Sequence, residues 1–158
     1  MVAEESRKHV GTTIRAFLPA DATAVTKILR AAPEASQWTE LGFKELLAWR
    51  GVLALVSEEN MEISGFIVGR QVADEAEILN LAVRPASRRK GEGGELLKAA
   101  MDEFRTRHAR RLFLEVRESN AGGIAFYRKH GFAKSGERPR YYSDSKEAAV
   151  TMETKLTG

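Results

Sequence analysis

The sequence predicts a single α/β domain with a central mixed sheet of about seven strands and helices on both faces. Short apolar runs typical of strands alternate with stretches of helical periodicity, and no internal repeat or low-complexity linker interrupts them. Some strands follow one another directly and others are separated by a helix, which implies antiparallel and parallel neighbours in one sheet. A chain of 158 residues is long enough for one such domain with a proper core.

The first half of the chain predicts a strand, two helices and then three strands. Asp21 is of a residue type that caps helices, and Ala24, Val25, Ile28 and Leu29 follow it on one helical face. The predicted strands cover residues 12–17, 52–57, 62–72 and 78–83, and the second helix covers residues 38–49. We expect the domain to span residues 12–156, after a flexible N-terminal tail over residues 1–11.

The second half predicts a long helix, a strand, a shorter helix and two further strands. Leu96, Leu97, Ala100, Met101 and Phe104 recur at helical spacing and mark the buried face of the long helix. The other predictions are a strand over residues 111–117, a helix over 121–130, a strand over 132–135, a polar loop over 136–146 and a closing strand over 148–156.

The composition limits the chemistry that is open to the protein. The chain has no cysteine, which excludes disulfides, thiolate nucleophiles and Cys-ligated metals, and no clustered ligands indicate another metal site. No apolar run approaches the roughly 20 residues that span a bilayer, and the first residues lack the apolar core of a signal peptide. We therefore expect a cytoplasmic protein with no membrane partner. A net charge of +3 is too small to indicate nucleic-acid binding by itself.

The most informative stretch joins the strand over residues 78–83 to the long helix. It contains three consecutive basic residues and then three glycines within four positions: Arg88, Arg89, Lys90, Gly91, Gly93 and Gly94. Glycine lets the backbone approach a ligand, and the first free N–H groups of a helix form an anion site. The stretch therefore predicts a phosphate site, although a plain glycine-rich turn with a solvated basic surface remains an alternative. The dinucleotide and P-loop patterns are both incomplete here.

A second candidate site lies on the strand over residues 111–117. Leu112, Leu114 and Val116 alternate with other residues, which places Glu115 beside Phe113 on a partly buried face. A carboxylate in such surroundings costs free energy unless it is paired or used in chemistry. Glu115 is therefore a candidate general base, and a salt-bridged or edge-exposed glutamate is the alternative.

The pattern Arg88-x-x-Gly91-x-Gly93 resembles the pyrophosphate-binding motif Q/R-x-x-G-x-G/A of the GNAT acetyltransferase superfamily, and the predicted order of elements is similar to the GNAT fold. The resemblance implies a GNAT-like domain that uses acetyl-CoA as cosubstrate. The pyrophosphate would lie on backbone N–H groups near residues 89–94, and the pantetheine arm would pair with the strand before them. The implied cofactor-binding residues are Leu81, Ala82, Val83, Arg88, Arg89, Lys90, Gly91, Glu92, Gly93, Gly94, Asn120 and Tyr127.

Residues 114–132 are similar to a narrower branch of this superfamily, the RimI-type ribosomal-protein N-alpha-acetyltransferases. This resemblance implies that Glu115 is the general base and that Tyr127 is the acid that protonates the departing thiolate. It implies a hydrogen bond from Asn120 to the cofactor arm. It also implies that Tyr141 and Tyr142 close over the first residues of the substrate.

These expectations describe direct acetyl transfer to the free N-terminal amine of a protein. The reaction proceeds in a ternary complex, since no cysteine is present to carry an acyl group. The resemblance points to a ribosomal protein as the partner and substrate, without a direct nucleic-acid role. Two alternatives stay open: a GNAT enzyme for lysine side chains or small amines, and a non-catalytic module that binds CoA or nucleic acid through residues 84–90.

Overall fold

The computed structural model describes residues 12–142 and 144–156, which form seven strands and four α-helices. The strands are β1 (Thr12–Ala16), β2 (Val52–Glu59), β3 (Glu62–Val72), β4 (Glu75–Val83), β5 (Arg111–Arg117), β6 (Ala133–Tyr142) and β7 (Glu147–Lys155). The helices are α1 (Ala22–Arg30), α2 (Glu40–Leu46), α3 (Glu92–Thr106) and α4 (Ala121–Lys129). The predicted flexible tail over residues 1–11 lies outside the described residues.

The strands form one mixed sheet in the order β1-β2-β3-β4-β5-β7-β6. Strands β1 to β4 pair antiparallel with their neighbours, and so do β5, β7 and β6. Strands β4 and β5 pair parallel, because the connection between them contains α3. The predicted mixed sheet with about seven strands is therefore confirmed.

Each face of the sheet is covered by its own pair of helices, as predicted. On one face, Leu97 and Phe104 of α3 pack in a core with Ile67 and Leu112, and α4 packs against the same core. On the other face, α1 and α2 cover a second core that includes Val25, Leu29, Phe43 and Phe66. Phe43 is fully buried, and truncating such a residue to alanine costs about 3–5 kcal/mol.

The prediction of a polar loop over residues 136–146 is wrong for its first part, because β6 continues to Tyr142. This strand lies at the edge of the sheet, pairs only with β7 and is exposed along most of its length. An edge strand without a buried face shows no apolar alternation, and it tolerates Pro139 where its register shifts. These two properties made the sequence look like a loop.

Asp21 stands at the start of α1, but its side chain makes no cap hydrogen bond there. Its carboxylate instead accepts hydrogen bonds from the Leu18 amide at 2.8 Å and from the Arg15 guanidinium at 2.8 and 2.9 Å. The pKa of Asp21 is held below its usual range, chiefly by the hydrogen bonds from Arg15. The prediction of a helix at this point is confirmed, but the capping role is wrong.

Strands β4 and β5 separate after a short contact, and this separation creates the site. Their parallel pairing covers only three residue pairs and ends at Glu77 and Phe113. Immediately afterwards Leu79 is an extra residue in β4, between Ile78 and Asn80, which face consecutive residues of β3. Such a bulge bends and twists a strand. The two strands therefore diverge, and a cleft opens between their carboxyl-terminal halves.

Candidate active site

The cleft between β4 and β5 contains most of the predicted catalytic residues. It encloses about 100 Å³ and is lined by the middle of β4, the second half of β5, the start of α4 and the loop between α1 and α2. Glu115, Tyr127, Asn120 and Tyr142 all line it, and so does Leu81. The structure therefore brings together residues that are far apart in the sequence.

Glu115 lies on the face of β5 that is opposite to α3 and α4. Its neighbours Leu114 and Val116 are buried on the helix side, as the alternation predicts. The Glu115 side chain is 12% exposed, and the Nε atom of Arg138 lies 2.7 Å from its Oε2 atom. The N–H bond of Arg138 is not aligned with that oxygen, and Oε2 has no hydrogen-bond partner among the described residues. Glu115 is therefore an ion-paired carboxylate whose buried Oε2 atom lacks a hydrogen-bond donor among the described residues.

Glu77 is a carboxylate near this site that the sequence analysis missed. Burial raises its pKa above the usual range, the charge of Glu115 raises it further, and the charge of Arg138 opposes both. Glu77 faces Phe113 in the last parallel pair of β4 and β5, next to the start of the cleft. The alternation of β4 could have placed Glu77 on the face of Glu115, but only if the parallel register had been known.

Tyr127 lies on α4 and packs between Phe126 and Phe132, with ring centroids 5.1 and 5.5 Å from its own. Burial raises the pKa of its phenol above the usual value, so that the hydroxyl keeps its proton. No hydrogen bond to this hydroxyl is present among the described residues. A protonated phenol at the edge of a cleft can act as a proton donor.

Asn120 caps α4, because its Oδ1 accepts a hydrogen bond from the Gly123 amide at 2.9 Å. Its amide group lines the cleft beside Tyr127. The cap fixes the position of this side chain, and the Nδ2 donor is left for a ligand. The predicted contact with the cofactor arm stays a prediction.

Tyr141 and Tyr142, the last two residues of β6, differ in position. Tyr142 lines the cleft, and the guanidinium carbon of Arg117 lies 4.1 Å from the centroid of its ring. Burial raises the pKa of Tyr142, while Arg117 opposes that effect. Tyr141 packs edge-on against Tyr142 with centroids 5.1 Å apart, but it is 48% exposed and does not line the cleft. Of the two, Tyr142 is therefore placed to contact a substrate in the cleft.

Two residues at the end of β4 direct their backbone N–H and C=O groups away from β3. The Arg84 amide donates a hydrogen bond to Ser64 on β3 at 2.8 Å. Residues of antiparallel strands alternate between hydrogen-bonded and non-hydrogen-bonded pairs. Ala82 therefore directs its amide and carbonyl towards β3, whereas Leu81 and Val83 direct theirs away from β3, to the side on which β4 separates from β5. Of these two residues, Leu81 lines the cleft. The Leu81 amide donates to Asn80 Oδ1 at 3.1 Å and the Val83 carbonyl accepts from Arg88 at 2.9 Å. The predicted contacts of the pantetheine arm are therefore possible at the Leu81 carbonyl and the Val83 N–H, but not through the backbone of Ala82.

A larger cavity of about 810 Å³ lies at the start of α3. Gly91 adopts a left-handed conformation with φ +83°, and the first intrahelical hydrogen bond runs from the Glu95 amide to the Gly91 carbonyl at 3.0 Å. The three preceding amides, of Glu92, Gly93 and Gly94, therefore have no partner within the helix. They lie at the positive end of the helix dipole and line the cavity. This geometry fits a diphosphate group.

The three basic residues before the glycines are arranged differently from one another. Arg88 donates to the Val83 carbonyl at 2.9 Å and to the Ala31 carbonyl at 3.0 Å, so that it ties the end of β4 to the loop after α1. Lys90 lies 3.6 Å from the Glu59 carboxylate. Arg89 is exposed, lines the cavity and forms no ion pair with the described residues. Arg89 is therefore the basic residue of this turn that is most available to an anionic ligand.

The carboxylate of Glu92 points away from the cavity at whose edge its amide lies. Glu92 is only 3% exposed, and the Ser57 hydroxyl donates a hydrogen bond to its Oε2 at 2.7 Å. A β-carbon on Gly65 would lie 3.1 Å from the same oxygen, so the surrounding backbone is closely packed. Glu92 can therefore offer its backbone N–H to a ligand, while its side chain packs against β2 and β3.

Two other kinds of site find no support in the described residues. No group of three or more His, Cys, Asp or Glu side chains in residues 12–142 and 144–156 could hold a metal ion. No helix in the same part of the chain is long and apolar enough to cross a membrane.

Residues 22–132 match the acetyltransferase (GNAT) family. This match covers more than half of the chain, so the protein belongs to the GNAT family and is an N-acetyltransferase. Members of this family use acetyl-CoA, and the cavity at α3 fits the phosphates of that cosubstrate. The predicted membership of the GNAT superfamily is thereby confirmed.

Among curated proteins, the chain is 40% identical over 96 residues to the ribosomal protein bS18-alanine N-acetyltransferase of Escherichia coli (strain K12), covering 60% of this chain and 65% of that protein. It is 35% identical over 125 residues to a Bacillus subtilis (strain 168) protein whose name assigns the same activity provisionally. That alignment covers 78% of this chain and 83% of the relative. The RimI-type resemblance is confirmed by these relatives.

Solved structures of acetyltransferases have the same fold as this chain. The crystal structure of the ribosomal-protein-S18-alanine N-acetyltransferase from Escherichia coli has a TM-score of 0.82 at 32% identity, covering 93% of this chain and 95% of that chain. The crystal structure of Ard1 from Thermoplasma volcanium has a TM-score of 0.85 at 33% identity, covering 94% and 99%. PaiA N-acetyltransferase from Thermoplasma acidophilum, solved in complex with coenzyme A, shares the fold with a TM-score of 0.76 at 22% identity, covering 91% and 98%.

Proposed function

We propose that this protein is a RimI-type N-alpha-acetyltransferase that transfers acetyl from acetyl-CoA to the free N-terminal amine of a protein. The names of the relatives suggest ribosomal protein bS18 as the substrate. The observation that carries the proposal is the position of Glu115 and Tyr127 in one cleft, formed where β4 and β5 diverge. Residues 12–156 act as one catalytic domain, and the reaction takes place in the cytoplasm.

Glu115 removes the proton from the substrate amine. A free α-amine has an ordinary pKa of about 8, so most of it is protonated at neutral pH and cannot attack a thioester. The Oε2 atom of Glu115 is buried and has no hydrogen-bond donor among the described residues, so it can accept that proton once the substrate amine or a water molecule replaces the Arg138 guanidinium beside it. Arg138, 2.7 Å away, keeps the carboxylate in place and has to share it with the substrate.

Tyr127 supplies the proton that the leaving group needs. Acetyl-CoA provides an activated acetyl group, and its thiol leaves as a thiolate. The Tyr127 phenol stays protonated because burial raises its pKa, and it lines the same cleft as Glu115. The Val83 N–H points away from β3 on the side where β4 separates from β5, and it is our candidate donor of a hydrogen bond to the thioester carbonyl. No cysteine is present, so the transfer is direct.

The cofactor reaches this cleft from the cavity at α3. The amides of Glu92, Gly93 and Gly94 hold the diphosphate, with Arg89 at the cavity edge. The Leu81 carbonyl, the Val83 N–H and the side-chain amide of Asn120 hold the arm between the two sites. Val83 belongs to the lining of the cavity and Leu81 to that of the cleft, so β4 leads from one to the other.

Thiol release tests the reaction, with a peptide that carries the bS18 N-terminal sequence and a second copy whose α-amine is blocked. The proposal expects thiol release from acetyl-CoA with the free peptide and background release with the blocked one. Equal release with both peptides would indicate an enzyme for lysine side chains or other amines. No release above background with either peptide would contradict the proposed activity.

A further inference from the structure

His130 is held in a fixed orientation at the end of α4. Its Nδ1 lies 2.8 Å from the carbonyl oxygen of Phe126. A carbonyl can only accept a hydrogen bond, so Nδ1 carries the proton and donates it. The ring also packs against the Phe126 ring, with centroids 4.5 Å apart. The other nitrogen, Nε2, is therefore the one that faces outwards from α4, and in the neutral ring it carries a lone pair.

The Nε2 atom of His130 lies over the first turn of α3. A β-carbon built on Gly94 would be only 2.8 Å from Nε2, which is closer than real contacts allow. The missing side chain of Gly94 therefore makes room for the imidazole. A β-carbon on the neighbouring Gly93 would lie 3.6 Å from the Phe126 ring, so both glycines accommodate the end of α4. His130 also lines the cavity that the free amides of α3 face.

We propose that His130 is a phosphate-binding residue of the cofactor site, whose Nε2 donates a hydrogen bond to the diphosphate of acetyl-CoA when the ring is protonated. The inference rests on the proposed use of acetyl-CoA and adds a proton-dependent contact to it. What points to a ligand is that His130 lines the same cavity as Glu92, Gly93 and Gly94, whose amides have no partner within the helix.

The contact makes cofactor binding depend on pH. A neutral ring presents the Nε2 lone pair to an anion, whereas a protonated ring presents an N–H and a positive charge. A bound diphosphate therefore stabilises the protonated ring, and binding becomes tighter as the pH falls through the range where histidine titrates. Charged groups that line the same cavity are Arg88, Arg89, Glu92, Glu95, Lys98, Asp102, Arg105 and Lys129. Side chains of these types ordinarily change charge outside the range between pH 5.5 and 8.

Dephospho-CoA is the suitable probe, because the 3′-phosphate of CoA itself gains a proton near pH 6. Calorimetry with the full chain measures its Kd at pH 5.8 and at pH 8.0. We expect the wild-type protein to bind roughly fivefold more tightly at pH 5.8, since a shift of one pH unit in a titration corresponds to a tenfold change in affinity. His130→Gln should bind dephospho-CoA with nearly the same Kd at both pH values. His108→Gln should keep the wild-type ratio, because His108 is exposed and does not line the cavity.

A second measurement does not depend on the folding of a variant. In the wild-type protein, the NMR titration midpoint of the His130 ring should move to higher pH when dephospho-CoA is bound and stay unchanged with S-acetyl-pantetheine, which lacks the diphosphate. An unchanged midpoint with dephospho-CoA, or the same pH ratio in His130→Gln as in wild type, would overturn the inference. If dephospho-CoA binds as expected but no peptide is acetylated, the proposed function fails and the role of His130 stands.

Discussion

The Nε atom of Arg138 lies 2.7 Å from the Oε2 atom of Glu115, yet no hydrogen bond joins them. The pair connects the exposed edge strand β6 to the partly buried strand β5. The Arg138 side chain is 60% exposed and the Glu115 side chain 12% exposed, so the arginine can move and the glutamate cannot move far. The ammonium group of an incoming substrate can therefore share the Glu115 carboxylate with the Arg138 guanidinium, or displace the guanidinium, without rearranging the sheet.

Replacing Glu115 tests whether this residue is the general base. Glu115→Gln should reduce kcat with a peptide substrate by about 100-fold at pH 7, within the usual range for a general base. The loss should be much smaller at pH 9, where the amine deprotonates unaided. Steady-state rates across this pH range give the answer. Glu103→Gln, on the far part of α3 beside Arg107, is the matched control and should behave as wild type. An equal loss for Glu115→Gln at both pH values would remove the base assignment.

Replacing Tyr127 tests whether this residue is the general acid that protonates the thiolate. Tyr127→Phe keeps the packing against Phe126 and Phe132 and removes only the hydroxyl. We expect kcat to fall by about 30- to 100-fold, because the thiolate then leaves without a proton donor. The affinity for acetyl-CoA, measured by calorimetry, should change by less than about twofold. Full turnover in this variant would show that another group protonates the thiolate.

The two tyrosines at the end of β6 should contribute unequally. Tyr142 lines the cleft, whereas Tyr141 lies outside it and is 48% exposed. Tyr142→Ala should raise the KM for the peptide by about tenfold, because a large partly buried contact is lost. Tyr141→Ala should raise it less than about threefold, and neither should change the KM for acetyl-CoA. A larger effect at Tyr141 would mean that the peptide lies along the outer side of β6.

Glu77 provides a prediction about stability. Its raised pKa means that the folded state favours the protonated carboxyl, so its contribution to stability is complete at low pH and is lost as the pH rises through the folded-state pKa. Glu77→Gln should therefore raise the Tm at pH 7 by about 1–3 °C and have little effect at pH 4. The effect is small because the side chain is only partly buried.

Thermal unfolding followed by circular dichroism measures this change. Glu75→Gln, at an exposed position of the same strand, is the control and should not raise the Tm, because Glu75 is paired with Arg111 at 3.0 Å. A lower Tm for Glu77→Gln at pH 7 would contradict the assignment of an unfavourable charge. The same variant also separates the two carboxylates in catalysis, since it should keep at least about a third of the wild-type kcat if Glu115 is the base.

Elements with strong apolar periodicity were predictable from the sequence, and elements at the rim of the sheet were not. Helix α3 and strand β5 have a buried face that imposes a repeating pattern, so the helix was predicted from its apolar residues and the strand was predicted with its true bounds, residues 111–117. Strand β6 has no such face, so nothing in its sequence distinguishes it from a loop. The side-chain role of Asp21 was also beyond prediction, because Arg15 competes for its carboxylate only in the folded chain.

Some residues of the candidate site could likewise be predicted from the sequence, and others could not. Motif residues such as Gly91, Glu115 and Tyr127 could be named because their types and spacing resemble a family pattern. Glu77 could not, because its nearness to Glu115 depends on the parallel register of β4 and β5. The contacts of Arg88 with two backbone carbonyls likewise depend on where the loop after α1 lies. Sequence patterns thus indicate which groups are present, and tertiary structure decides which groups they meet.

The most direct test of the central claim is to locate the acetyl group on a product. A single peptide with the bS18 N-terminal sequence, a free α-amine and an internal lysine would be incubated with the protein and acetyl-CoA, then fragmented by tandem mass spectrometry. We predict one acetyl group, on the α-amine of the first residue, and none on the lysine. Acetylation of the lysine with a free α-amine remaining, or no acetylated peptide at all, would contradict an N-alpha-acetyltransferase with Glu115 and Tyr127 at its centre.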